Sequence, residues 1–81
     1  MRTFATAVLH IDLDSGDNAR RIYKALKPET RSSPTPRSKV DLKVKGDVLV
    51  VDVKANDTAA LRASINSYCR WVMCLKRVID A

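Results

Sequence analysis

Residues 54–81, KANDTAALRASINSYCRWVMCLKRVIDA, decide the fold of this chain. They read as a polar launch point followed by one long helix, expected over about 58–79. Asp57, or Asn56 just before it, carries a side-chain oxygen able to accept from the first free N–H groups of a helix, as an N-cap does. Leu61, Ile65, Tyr68, Val72, Leu75 and Ile79 recur at spacings of four and three, so they share one face. Such a seam seats a helix on a sheet.

Within the same helix, Trp71, Val72, Met73, Cys74 and Leu75 are consecutive and uncharged. At about 100° per residue they point all the way round. A helix apolar on every side is ordinarily buried on every side, and one small domain cannot cover both faces. Either the outer face meets another polypeptide, or Met73 and Cys74 are scattered surface residues of the usual kind. The all-round pattern favours a partner. Arg62, Asn66, Arg70 and Arg77 lie opposite or beside the seam. Mixed with Met73 and Cys74 they look more like an interface with a polar rim than a merely hydrated face.

Working back towards the N-terminus, residues 39–55 read as a β-hairpin. Val40, Leu42 and Val44 alternate with Lys39, Asp41, Lys43 and Lys45, and Leu49, Val51 and Val53 alternate with Val48 and Val50. Gly46-Asp47 joins the two runs, and glycine first suits a type II′ turn. Residues 28–38 are a loop by composition, since Pro34 and Pro36 prevent regular pairing. A helix is expected over about 17–27, with Ala19, Ile22, Tyr23 and Leu26 as its apolar stripe and Arg20, Arg21, Lys24 and Lys27 as its basic outer face. Ser15 or Asp17 caps it, and Pro28 ends it. Residues 3–13 alternate as a half-buried strand, with Ala7, Leu9, Ile11 and Leu13 inward and Thr6, Val8, His10 and Asp12 outward.

The order β-α-β-β-α constrains the topology. A right-handed crossover through the first helix makes strands one and two parallel with a gap between them. Strand three, antiparallel to strand two and the most apolar, fits that gap. The expected fold is therefore α+β: a three-stranded antiparallel sheet in order 1-3-2, with both helices on one face, and one domain over 1–81. Two strand edges stay open. Strand two is guarded by lysines, whereas strand one carries little charge from Thr3 to Ile11. Strand one is thus the expected edge for a homodimer with a six-stranded sheet, and Phe4, Val8, Val48 and Val50 give the outer sheet face apolar character suited to that assembly.

Composition sets further bounds. A domain of 81 residues has a thin core, and such cores are often supplemented by disulfides, metals or oligomerisation. Cys69 and Cys74 sit on one helix about 140° apart and cannot bridge each other. No further Cys or paired His completes a zinc site. Free thiols and no signal-like start point to a reducing, cytoplasmic setting. No run approaches the roughly 18 apolar residues of a membrane span. Oligomerisation is what remains.

Formal net charge is +6, concentrated in the middle third among Arg20, Arg21, Lys24, Lys27, Arg31, Arg37, Lys39, Lys43 and Lys45. Such a field draws nucleic acid or an acidic protein surface, or it is a solubilising face. Catalytic motifs are scarce. His10 is the single histidine; with Asp12 and Ser15 nearby it forms an exposed strand ladder, with no pocket implied. Two glycines provide no phosphate-cradling loop. A KH domain needs a GXXG loop and an RRM needs aromatics on its central strand, and the chain has neither. Nucleic-acid contact would therefore be to phosphates. No catalytic residue, metal ligand or cofactor site is expected, and the chain is read as a non-enzymatic binding module.

Several motifs carry a resemblance. Ala60-Leu61-Arg62, Asn66-Ser67-Tyr68 and Arg70-Trp71, together with Arg37-Ser38, the strand 40–44, Gly46-Asp47, the strand 49–55 and Asn56-Asp57-Thr58, resemble the PCC family. That family is the smallest core subunit of the KEOPS complex, which makes threonylcarbamoyl-adenosine on tRNA. The resemblance covers nearly the whole chain and is most specific over 37–79. It implies a non-catalytic dimerisation subunit whose two helices pack against the threonylcarbamoyltransferase catalytic subunit. A kinase-like ATPase and a further accessory subunit would associate indirectly. On this reading Arg62, Asn66, Ser67, Arg70, Trp71, Met73, Cys74 and Arg77 meet the catalytic subunit, while Leu61 and Tyr68 serve the core. Arg31, Arg37 and Lys39 are the candidates for tRNA. Cys69, Met73 and Cys74 stand where Leu, Ile or Ala is expected in the family. The rival reading is a free-standing basic RNA-binding module, resting above all on Arg20, Arg21, Lys24 and Lys27.

Overall fold

Alternation in the three strands and a 3.6-residue period in the two helices produce five elements in the computed structural model, which describes residues 4–27 and 37–80. They are β1 (Ala5–Asp12), α1 (Gly16–Leu26), β2 (Ser38–Lys45), β3 (Val48–Ala55) and α2 (Thr58–Asp80). β3 lies between β1 and β2 and is antiparallel to both, giving the order β1-β3-β2. This is the α+β topology expected from the crossover argument. Among the described residues no helix is long and apolar enough to cross a membrane.

Register explains why β3 is central. Leu49, Val51 and Val53 pair with Ile11, Leu9 and Ala7 on one side and with Val44, Leu42 and Val40 on the other. All three are fully buried under the helices. On the open face Val50 is only 7 % exposed, against the expectation that it adds to an apolar outer patch. It is the middle residue of a cross-strand row between two larger side chains, His10 and Lys43. Phe4 and Val8 are the large apolar residues left exposed on that face.

The connections are set by local chemistry. Of the two hairpin residues only Gly46 has a positive φ, +62°, the type II′ pattern. The carbonyl of Asp47 accepts from the amide of Leu13 at 2.9 Å, which ties the hairpin tip to the end of β1. Asp14 turns the chain with φ +72°, a conformation Asp tolerates better than most residues. Ser15 then caps α1, its Oγ accepting from the Asn18 amide at 3.1 Å. Lys76 of α2 reaches back to this turn, 3.0 Å from Asp14 and 2.8 Å from Asp80. The hydrogen bonds to Asp80 and then Asp14 raise its ammonium above the ordinary lysine value.

Helix α1 buries Ala19, Ile22 and Leu26 and packs chiefly on β2 and β3, whereas α2 touches all three strands. The line on which α2 rests differs from the expected seam. It is Ala60, Ser64, Tyr68 and Val72; Leu61, Ile65, Leu75 and Ile79 are half-buried and pack against its sides. Small residues at 60 and 64 let the first half of the helix sit close to the sheet, which turns the larger Leu61 and Ile65 outward. Ser64 is 0 % exposed, and its Oγ lies 2.6 Å from the buried Oγ of Ser38 at the start of β2. The polarity of both serines is thereby satisfied inside the core.

Coverage of the sheet is uneven. On the helix side, Ser38, Val40 and Leu42 of β2 are buried, but Ala5, Ala7, Leu9 and Ile11 of β1 are only half-buried. Two outcomes follow from this packing. Ser64→Leu overfills the close seat and destabilises by about 1–3 kcal/mol, while Ser64→Ala removes one hydrogen bond and destabilises by about 1 kcal/mol. Urea midpoints at constant slope check the ranking, and an unchanged Ser64→Leu midpoint contradicts the close seat. For Lys76, a raised value in the folded state means its contribution is present below the ordinary lysine value of 10.5 and is lost as pH climbs beyond it. The difference in urea midpoint between wild type and Lys76→Met should therefore shrink between pH 9 and roughly pH 12; a constant difference removes the ionic role.

Candidate partner-binding surfaces

Helix α2 is aimed by its N-terminus. One carboxylate oxygen of Asp57 accepts from the Ala60 amide at 2.7 Å, as a cap does. The other accepts from Arg37 Nη1 at 2.8 Å, and the Arg37 carbonyl accepts from the Asn56 amide at 3.0 Å. Arg37, a sequence candidate for tRNA, thus carries a structural duty across 20 residues of chain. Lys39 is exposed on the open sheet face directly opposite Lys54. Arg31 and most of the proline-rich loop lie outside the described residues.

The candidates on α2 fall into two groups. Arg62, Asn66, Arg70, Met73 and Arg77 are all exposed and follow one another at spacings of four and three, forming a single outer stripe. None of its three arginines takes part in an ion pair among the described residues, so the stripe is cationic around the 58 % exposed Met73. Ser67, Trp71 and Cys74 instead lie on the flank turned towards α1. Trp71 is half-buried, its ring meeting that of Tyr68 edge-on at 5.0 Å. Trp71, Cys74 and Leu75 combine with Ala25 and Leu26 of α1 to line a groove of about 390 Å³.

Two members of this surface escape sequence reading. Val78, 72 % exposed, extends the Trp71–Cys74 flank by one turn, and its signal was its spacing of four from Cys74. Ala25 forms the opposite wall, and a lone alanine carries no such signal. Elsewhere, His10 is exposed on the open sheet face. Among the described residues no group of three or more His, Cys, Asp or Glu side chains is placed to hold a metal ion.

The fold and these exposed features are those of a small α+β module with surfaces suited to assembly. The family model described as "Transcription factor Pcc1" matches residues 6–80, and the chain belongs to the Pcc1 family. It is 37 % identical over 62 residues to the KEOPS complex subunit Pcc1 of Pyrococcus abyssi (strain GE5 / Orsay), covering 76 % of each chain. In three dimensions it resembles a chain in the crystal structure of a binary Gon7-Pcc1 complex, with a TM-score of 0.85 and 21 % identity over 98 % of this chain and 96 % of that one. At that identity the likeness speaks for the fold.

The double use of Asp57 generates a ranked expectation. Asp57→Ala removes the cap and destabilises by about 0.5–2 kcal/mol, whereas Arg37→Gln, losing only an exposed pair, changes stability by about 0–1 kcal/mol. Amide exchange at Ala60 should quicken in the first variant and hardly in the second. Equal exchange in both would mean the carboxylate is not the cap.

Proposed function

We propose that this chain is a non-catalytic dimerisation and scaffold subunit of a KEOPS complex, supporting threonylcarbamoyl-adenosine modification of tRNA. Family membership supports the complex, since the Pyrococcus relative carries that name. The observation that carries the scaffold role is the uncovered side of α2, where Met73 stands in solvent within the arginine stripe and Cys74 and Val78 stand in solvent on the adjoining flank that holds the Trp71 groove. Exposed apolar side chains gathered on one surface and rimmed by arginines fit a protein partner. In this reading they receive helices of the threonylcarbamoyltransferase catalytic subunit, and the kinase-like ATPase and accessory subunit join through it.

A second copy fits the β1 edge. The helix-side row of β1 is half-covered, its strand carries few charges, and the opposite edge bears Lys39, Lys43 and Lys45. Pairing of two β1 strands would extend the sheet to six strands and cover Leu9 and Ile11. A free-standing RNA module would use the positive charge but leave the α2 flank without a purpose.

Co-purification with the transferase subunit tests the proposal, using wild type, Met73→Asp and Val78→Asp. Each substitution should weaken capture by at least about thirty-fold, as loss of a central contact does. Light scattering of the lone chain should give twice its 9.0 kDa mass. Undiminished capture by both variants would move the partner off α2, and a monomeric mass at all concentrations would remove the dimer.

A further inference from the structure

The end of α2 runs past the sheet. Its 23 residues span about 34 Å at roughly 1.5 Å each, whereas the 8 residues of β3 reach about 26 Å at roughly 3.3 Å each. α2 begins just after β3 ends. Its Lys76 meets Asp14, just past β1, whose own end is paired with the start of β3. The helix therefore returns along β3, and an excess of about 8 Å falls beyond the strands. The buried row Ala60, Ser64, Tyr68 and Val72 has its next member at Lys76, a side chain only 23 % exposed. The apolar seat ends there, and a charge takes its place.

Lys76 lies between two carboxylates. Asp80, one turn further on, is 2.8 Å away and moves with the helix. Asp14, 3.0 Å away, belongs to the turn after β1 and ties the helix to the body of the domain. That turn is built firmly. The Asp12 carboxylate accepts from the Asp14 amide at 2.9 Å, and the Leu13 carbonyl accepts from Asn18 Nδ2 at 2.9 Å. The Leu13 side chain is buried beneath it. These contacts hold Asp14 at φ +72°, a left-handed conformation that few side chains adopt. Its carboxylate is thereby presented to α2 from a backbone that the rest of the turn enforces.

We infer that the Lys76–Asp14 contact is a positioning clamp, which orders the projecting end of α2 and so fixes Arg77 and Val78 for a protein partner. Magnitudes favour positioning over overall stability. An exposed ion pair adds little to the stability of a whole domain. The last turn of a helix, however, leaves its final carbonyls without intrahelical partners and opens at almost no cost. There the same small energy decides between ordered and frayed. Asp80 opposes the helix dipole at this end, and Lys76 offsets its charge as well. Ile79 contributes half-buried apolar contact, while Arg77 and Val78 are exposed. Their assignment to a partner rests on the scaffold reading; the clamp itself rests on the ion pair and the projection of α2.

The test is residue-resolved amide exchange of the full chain, followed by capture of the transferase subunit, using Asp14→Asn, Lys76→Met and Lys76→Arg. Asn also tolerates the left-handed conformation, so Asp14→Asn keeps the turn and loses the pair. In Asp14→Asn and Lys76→Met the amides of residues 77–80 should exchange about two- to five-fold faster. Those of residues 62–68 should keep their rates. Lys76→Arg retains charge and reach and should restore slow exchange at 77–80. Capture should weaken in the first two variants by no more than the same factor, because only the ordered fraction binds. Unchanged exchange at 77–80 overturns the clamp. So does equal quickening along the whole of α2, which would make the pair a general stabiliser. Local quickening with undiminished capture overturns the positioning role. Local quickening with no capture, even by wild type, would sink the scaffold reading and leave the clamp standing.

Discussion

The close seat of α2 on the sheet governs what the rest of the molecule exposes. Ala60 and Ser64 are small enough to bring the first half of the helix near the strands, and the Ser38–Ser64 hydroxyl contact fixes that approach inside the core. From there the buried row continues in steps of four through Tyr68 to Val72. An i, i+4 row drifts by about 40° per step. By the second half of the helix the buried line has turned, and the uncharged run at 71–75 cannot all follow it inward. Val72 stays beneath, while Met73 and Cys74 are carried out to solvent.

The second constraint is coverage. Two helices lie over three strands, and α1 serves β2 and β3. The inner row of β1 is left half-open beside an edge with little charge to discourage pairing. A thin core with such an edge gains from burial against another chain. Exposed apolar groups thus gather on the α2 flank and along β1, whereas cations gather on the β2 side.

Much of the fold was legible in the chain because its signals are local. Strict alternation marked the strands, Gly46 marked the turn, and the polar pairs Ser15 or Asp17 and Asn56 or Asp57 marked the starts of the helices, the structure choosing Ser15 and Asp57 as the caps. Strand order followed from handedness and from the apolar excess of β3. The seat of α2 was misread because Ala60 and Ser64 do not look like core residues, and hydrophobic periodicity favours the larger Leu61 and Ile65 beside them. Val50 was misread because its neighbours in the row, His10 and Lys43, belong to strands whose register the sequence does not display. The α2 surface was readable as a list of residues but not as two groups, since the division depends on where α1 lies. Arg37 looked available until Asp57, 20 residues away, was brought against it.

Register also decides where the positive charge acts. On the open sheet face Lys39 is opposite Lys54 and Asp41 is opposite Asp52. Like charges directly opposite one another are unfavourable. Here, however, a lysine row adjoins an aspartate row, and the four charges cancel over a short distance. This end of the open face is therefore close to neutral. Further along β2, Lys43 and Lys45 have no carboxylate opposite them, their register partners being Val50 and Val48. A field divided in this way is positive at the hairpin end of β2 and along the arginine stripe of α2. Concentration of charge, rather than its total, gives the domain two separate points of attraction.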